Sequence, residues 1–322
     1  MTILSRDLSV IEKTVLIIII NFYNKWTFEV LSRRNLLLAG VTLLPAVYAL
    51  GTGRLPLQKI VSLDLAITES LLGLGIVPVA VANKRWYQNF IVSPQLPEYV
   101  LEVGLPGEPN LELLQSIKPD IILCSRAQTQ VNVRLQKIAP VVALDIFRPD
   151  IPPWQAAQQM MSQLGQYASV PHAAEKINAE ASDLLATTTS TLEKYHGRPI
   201  FLARINDDGR HLLLFGQKGM YDFLLKAMGF HNGCELKTNA WGGAIVGLDY
   251  LLRQPDARLI FFSNQQERHH TNTMFSSPLW QAIPLIREAR YSRMNRLYPS
   301  GGLLSAMRFL GEFESAMKVQ SI

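Results

Sequence analysis

The residues able to do acid–base, nucleophilic or metal chemistry are few and scattered. Six histidines occur: His172, His196, His211, His231, His269 and His270. The adjacent pair His269-His270 would face opposite sides of a strand and would not share a face of a helix. The two cysteines, Cys124 and Cys234, form no CxxC pair. Cys124 ends the apolar run that begins at Ile121, where cysteine acts as a small buried hydrophobe. There is no HExxH pattern, no G-x-S-x-G elbow and no phosphate loop, so neither a zincin nor a hydrolase nor a nucleotide-binding enzyme is indicated. What remains suits recognition rather than catalysis. Trp241 precedes glycines in a loop, where a core role is poorly supported. Trp86 and Tyr87 lie in the aromatic, basic stretch Lys84–Phe90. A bare metal ion would need clustered His, Asp or Glu side chains, whereas these loops offer Trp, Gln, Arg and Gly.

The elements that must position these residues are announced by a phrase that occurs twice. Leu111-Glu-Leu-Leu114 leads through Pro119-Asp120 to Ile121–Leu123, and Leu248-Asp-Tyr-Leu-Leu252 leads through Pro255-Asp256 to Leu259–Phe262. Each reads as an acid at a helix start, a short helix, a Pro-Asp break and a buried strand. A glycine-rich loop precedes each copy, Val103–Pro109 and Trp241–Gly247. Two such α/β units point to two lobes facing each other across a cleft, a favoured place for a small ligand.

The chain is divided into four parts: an export segment at 1–49, an α/β lobe at 50–150, a helical region at 151–197 and a second α/β lobe at 198–322. In the first lobe, strands are expected at 60–63, 77–82, 121–124 and 141–144. Helices are expected at 66–74 and 133–138, with 84–90 as a loop. Alternation of strands and helices predicts a largely parallel sheet. Past Pro152-Pro153 the pattern predicts a helix over 154–165 ended by Gly165. After Pro171, apolar residues at helical spacing predict a connecting helix of about 24 residues, about 36 Å long at 1.5 Å per residue. In the second lobe, strands are expected at 200–205, 211–215, 259–262 and 296–298, with a turn at 207–210. Helices are expected at 221–228, 278–287 and 302–317, with Trp280 in the core.

The 322 residues are 48% hydrophobic and 18% charged, which describes a globular chain. The formal charge is +5. No dense Lys/Arg block occurs, so nucleic acid is not an expected partner. Arg33-Arg34 stands before an uncharged apolar stretch from Leu36 to Leu50 that ends in small residues. This describes a twin-arginine export signal, with the mature chain starting near Leu50. The stretch is short of the roughly 20 residues a membrane span needs. Val41 stands where a lipidated cysteine would be, so a soluble periplasmic product is expected. The first 31 residues fit either an extended leader or a start of translation further downstream.

Glu108-Pro-Asn-Leu-Glu-Leu-Leu114, Ser277-Pro-Leu-Trp-Gln-Ala-Ile-Pro284 and Leu304-Ser-Ala-Met-Arg-Phe309 resemble the periplasmic iron(III)-hydroxamate (ferrichrome-type) binding proteins, over about residues 55–320. The resemblance implies a class III binding-protein fold: two Rossmann-like lobes joined by one long connecting helix. It implies a monomer without enzymatic activity and without a covalently bound cofactor. Iron(III) would be carried only as a siderophore chelate, of hydroxamate or mixed citrate-hydroxamate type. The partner would be an inner-membrane ABC permease with its ATPase. Haem, cobalamin or a catecholate siderophore remains an alternative cargo on the same fold, and an enzyme is the alternative from another class.

The resemblance also assigns residues. Trp241, Tyr298 and Phe90 fall at aromatic pocket positions, and Leu65 joins the candidate ligand set. The family's key arginine is replaced by Pro106 and its hydroxamate-contacting tyrosine by Gln128, while two further aromatics become Pro299 and Ser300. Proline has no donor, so the charge-assisted contact to hydroxamate oxygens must come from elsewhere. Arg126 is the first candidate replacement, with Arg85 and Arg204 behind it. Asp249 matches a permease-docking acid of the second lobe. The corresponding first-lobe acid is replaced by Val133, leaving Glu112 or Glu108 as substitutes; the plainer alternative is that these acids only stabilise helix starts.

Overall fold

The computed structural model describes residues 59–126, 133–263 and 268–319. Arg33, Arg34 and Gln128 lie outside them. The first sheet is built from β1 (Ile60–Ser62), β2 (Ala80–Val81), β3 (Leu101–Glu102), β6 (Ile121–Cys124) and β7 (Val141–Ala143). Its order is β3-β2-β1-β6-β7, and every pairing is parallel. β1 and β6 are buried along their whole length, because a parallel sheet is covered on both faces and its central strands read as unbroken apolar runs. Helix α1 (Leu65–Gly73) starts directly after β1. Asp64 caps it, with Oδ1 accepting from the N–H groups of Ala66 (2.8 Å) and Ile67 (3.1 Å).

The stretch expected as an aromatic loop is instead helix α2 (Lys84–Phe90). Asn83 enters it in the left-handed conformation, which asparagine tolerates better than most residues. Lys84 Nζ ties the start of the helix to the carbonyls of Glu98 and Val100. The helical repeat separates two aromatics that sequence placed side by side. Tyr87 is fully buried, and its hydroxyl donates to the Pro94 carbonyl at 2.8 Å. Trp86 stays 53% exposed. The first glycine-rich loop is a tight hairpin of β4 (Gly104–Leu105) and β5 (Glu108–Pro109), with Pro106 and Gly107 at its turn. It leads into α3 (Leu111–Ile117), capped by Asn110.

Two helices follow β7. α4 (Pro153–Tyr167) runs through Gly165 rather than ending there. The glycine serves packing: a Cβ at that position would lie 2.6 Å from the Ala174 Cβ on the next helix. That helix, α5 (Pro171–Leu192), has 22 residues, about 33 Å at 1.5 Å per residue.

The second sheet comprises β8 (Ile200–Ile205), β9 (His211–Phe215), β10 (Gly243–Gly247), β11 (Arg258–Phe262) and β12 (Tyr291–Met294), with α6 (Met220–Ala227) between β9 and β10. Its order is β10-β9-β8-β11-β12. This sheet is mixed: across the turn expected at 207–210, β9 runs antiparallel to β8, and it is antiparallel to β10 as well. The short turn after β8 allows no crossover, so the chain must return antiparallel. Asp208 pins that turn by accepting from the N–H groups of Arg210 and His211. Three further elements differ from expectation. The second glycine-rich loop becomes strand β10. The last strand lies at 291–294, so residues 296–300 leave the sheet as a loop. The helix expected over 278–287 divides into α8 (Pro278–Gln281) and α9 (Pro284–Arg287), after α7 (Arg268–Phe275). Ile283 is extended at φ −86° and ψ 119°, as the residue before a proline is pushed to be. Trp280 is buried as expected, its indole N–H donating to the Gly209 carbonyl at 3.0 Å.

The C-terminal helix α10 (Leu303–Lys318) packs on α5, α4, α1 and α6. Its start is fixed by Glu69 of α1, which is fully buried. Glu69 accepts from the Gly302 N–H at 2.9 Å and the Ser305 hydroxyl at 2.7 Å, and it pairs with the Arg308 guanidinium. Burial pushes its carboxyl up, with Arg308 and the hydrogen bonds pulling the other way. One apolar cluster runs from α1, β1 and β6 through α4 and α5 to β8, α6 and α10, so both sheets share a continuous core. Removing one member of a buried ion pair strands the other, at a cost of about 3–5 kcal/mol. Glu69→Ala is therefore expected to lose about that much stability in a denaturant titration, and Glu69→Gln, which fills the same space and keeps one of the two acceptor oxygens, less.

Candidate functional site

Ligands of open α/β sheets bind beyond the carboxyl ends of the strands, where the strand order reverses. In the first sheet that point lies between β1 and β6; Ser125 follows β6 directly and Asp64 lies two residues beyond β1. In the second sheet, Arg204 lies near the end of β8 and Phe262 at the end of β11. Residues of both sheets meet there in two adjoining chambers.

The larger chamber, about 420 Å³, is aromatic. Trp86 and Phe90 line it from the first lobe, and Phe215, Trp241, Phe262 and Tyr298 from the second. Trp86 and Phe90 are four residues apart on α2, so they share one face, with ring centroids 5.2 Å apart. Phe90 in turn lies 6.5 Å from Tyr298 across the cleft. Burial pushes the Tyr298 hydroxyl up to about 12, with Asp64 and Glu69 adding to the shift; at neutral pH it is a proton donor. Arg204 and Arg296 supply positive charge to the same chamber. Arg204 is exposed and makes no ion pair among the described residues.

The smaller chamber, about 270 Å³, carries carboxylates. Asp64 and Asp145 line it together with Ser125, Phe147 and Met160. Trp241 and Ser300 line both chambers and form the boundary between them. Burial pushes the Asp64 carboxyl up; the two N–H donors of α1 oppose this, and the charge of Asp145 adds to it.

Trp241 is held by its backbone. Its N–H donates to Asn239 Oδ1 at 3.2 Å, as does the Gly243 N–H at 2.8 Å. The indole packs directly over Gly243, where an added Cβ would lie 2.4 Å from the ring. Gly242 has φ +88° and presses on Gly219, leaving no room for a side chain. The glycines around the tryptophan therefore serve to seat it.

The structure brings Trp241, Phe90, Tyr298, Ser300 and Arg204 together in the cleft. Leu65 is buried beneath it, in the cluster against which Tyr298 packs. Pro106 and Arg85 do not line either chamber. Arg126 stands beside the smaller chamber without lining it: its N–H donates to Asp145 Oδ1 at 2.9 Å, and its Nε lies 3.4 Å from Oδ2. Asp249, Glu112 and Glu108 are all exposed. Asn110 and Gly247 hold the cap positions of α3 and of the 3-10 helix Leu248–Arg253, while Glu112 and Asp249 lie in the first turns of those helices, where the dipole favours an acid. Sequence reasoning missed Asp64, Asp145 and Arg296. The available signal for the two acids was their position two residues beyond the ends of β1 and β7.

Comparison with known proteins agrees with this architecture. The periplasmic binding protein family matches residues 60–294. The iron(3+)-hydroxamate-binding protein FhuD of Escherichia coli K12 is 31% identical over 290 residues, covering 89% of this chain and 97% of that protein. The Fe(3+)-citrate-binding protein YfmC of Bacillus subtilis 168 is 25% identical, covering 72% and 71%. Among solved structures, the Fe3+–Desferal-bound siderophore-binding protein FhuD of Vibrio cholerae superposes with a TM-score of 0.70 at 23% identity, covering 81% of this chain and 97% of that one. That likeness speaks for the fold. With a matching family, a relative matched over nearly its whole length and a cleft between two α/β sheets, this chain belongs to the periplasmic binding protein family.

Proposed function

We propose that this chain is the substrate-binding protein of an ABC importer, capturing a ferric siderophore of hydroxamate or mixed citrate-hydroxamate type in the cleft between its sheets. The observation that carries this reading is the aromatic chamber with Arg204 at its wall, without an ion-pair partner among the described residues. An iron chelate presents flat organic arms around anionic oxygens, and such a surface is met by rings and a guanidinium fork. Among the described residues no group of three or more His, Cys, Asp or Glu side chains could hold a bare ion. The similarity to the hydroxamate-binding protein of Escherichia coli supports the same cargo class.

The residue roles follow from that geometry. Trp241 is the central anchor, Phe90 and Tyr298 close the chamber from opposite sides, and Arg204 meets the chelate oxygens. Arg126, bound to Asp145, is less available for that role than its position in the sequence suggests. The exposed acids Asp249 on the second lobe, and Glu112 or Glu108 on the first, are the handles offered to basic residues of the permease. The twin-arginine leader around Arg33-Arg34 supports export to the periplasm, where a monomer would act without catalysis.

Titration of residues 50–322 with ferric siderophores, followed by tryptophan fluorescence, tests the reading. Saturable quenching by a hydroxamate is expected. Binding of haem, cobalamin or a catecholate alone would assign the cleft to another cargo. Trp241→Ala is expected to weaken binding by at least about 30-fold, as loss of an aromatic hot spot does. Arg204→Ala is expected to cost about tenfold or more, and Arg126→Ala less. Gly243→Val is expected to displace the indole, shifting the emission of the unliganded protein and lowering affinity while the unfolding midpoint changes little. Asp249→Lys combined with Glu112→Lys is expected to slow siderophore uptake in cells at unchanged ligand affinity.

A further inference from the structure

The smaller chamber is chemically the opposite of the larger one, and the proposed cargo has not yet used it. It opens beside the same Trp241 and Ser300, so a ligand seated in the aromatic chamber can extend an arm into it. Two carboxylates face that arm. Asp64 spends Oδ1 on the start of α1, and its second oxygen accepts nothing among the described residues. Asp145 is only 18% exposed, and its cationic partner Arg126 is 67% exposed and turned to solvent. An ion pair of that kind is screened and offsets little of the negative charge. The walls are completed by Phe147 and Trp241. Partly desolvated carboxylates with aromatic faces make the environment that favours an ammonium group, by charge-assisted hydrogen bonds and by attraction to the ring face.

We propose that this chamber receives a cationic arm of the siderophore, with Asp64 and Asp145 accepting from its ammonium and Trp241 lying against it. The cargo would then be a chelate that is anionic at its iron-bound oxygens, facing Arg204, and cationic at a free amine, facing Asp64 and Asp145. This deepens the function proposed above and rests on it. Asp64 and Asp145 act as specificity residues, selecting among chelates that share the same iron centre.

The test compares a ferric tris-hydroxamate that ends in a free primary amine, ferrioxamine B, with its N-acetylated form. The iron centre is the same and only the charge of the arm differs. The parent protein is expected to bind the amine form about tenfold more tightly, the scale of one charge-assisted contact. Asp64→Asn keeps a good helix cap, and Asp145→Asn keeps an acceptor for the Arg126 N–H, so both variants retain the hydrogen bonds that shape the fold. In each, the preference is expected to fall to within about twofold of unity. A purely structural role would weaken both chelates alike and leave the ratio unmoved. Equal binding of the two forms by the parent, or a preference that survives in both variants, would overturn the inference while leaving the hydroxamate function in place. Binding of neither form would overturn that function and the inference with it.

Discussion

A single buried carboxylate determines how the rest of this structure can be arranged. Glu69 sits in α1, beneath the first lobe's half of the cleft, and every acceptor it offers is directed at the start of α10. A buried charge must be matched or its burial penalty goes unpaid. The match requires Gly302, Ser305 and Arg308 to reach it together. Gly302 has no space for a side chain, since a Cβ would lie 2.9 Å from Ser70 Oγ and 3.2 Å from the Ala66 carbonyl. The loop carrying Tyr298 and Ser300 ends at that glycine, so these two residues of the second lobe's side of the cleft are tied to a contact made on the first.

A core shared between the two sheets favours a cleft of nearly fixed width. The helices α4, α5 and α10 and one face of each sheet form one apolar cluster, and tightly packed interiors transmit strain rather than yield to it. A ligand entering such a cleft meets rings and charges already in place. Preorganised sites lose less conformational freedom on binding, which suits a protein that must recognise a bulky chelate without enclosing it. Opposite charges at the two ends of one cleft extend the same logic, since orientation of the cargo is set before it arrives.

Much of this was legible in the sequence where the determinants are local. Alternating strands and helices, the long helix after Pro171 and the placement of Trp241 among glycines rest on patterns within a few residues, and the structure has them. What was misread rests on longer-range events. The stretch Lys84–Phe90 looked like a loop because its aromatics are crowded; the four-residue spacing of Trp86 and Phe90 becomes informative only once a helix is assigned. The second glycine-rich loop is strand β10 because β9 is present to pair with it. For the charge that the family's arginine would supply, sequence proximity favours Arg126, whose side chain pairs with Asp145 of a neighbouring strand end. Arg204, the more distant candidate in sequence, is the one that β8 places at the wall of the aromatic chamber.

The central claim is that an iron chelate sits between the sheets, against Trp241 and within reach of Arg204. Anomalous diffraction at the iron edge from crystals grown with a ferric hydroxamate tests it most directly. The expected result is one strong iron peak in the cleft, bounded by Trp241, Tyr298 and Arg204. A peak on the outer surface, or a cleft without iron in crystals of protein that binds the chelate in solution, would contradict the account.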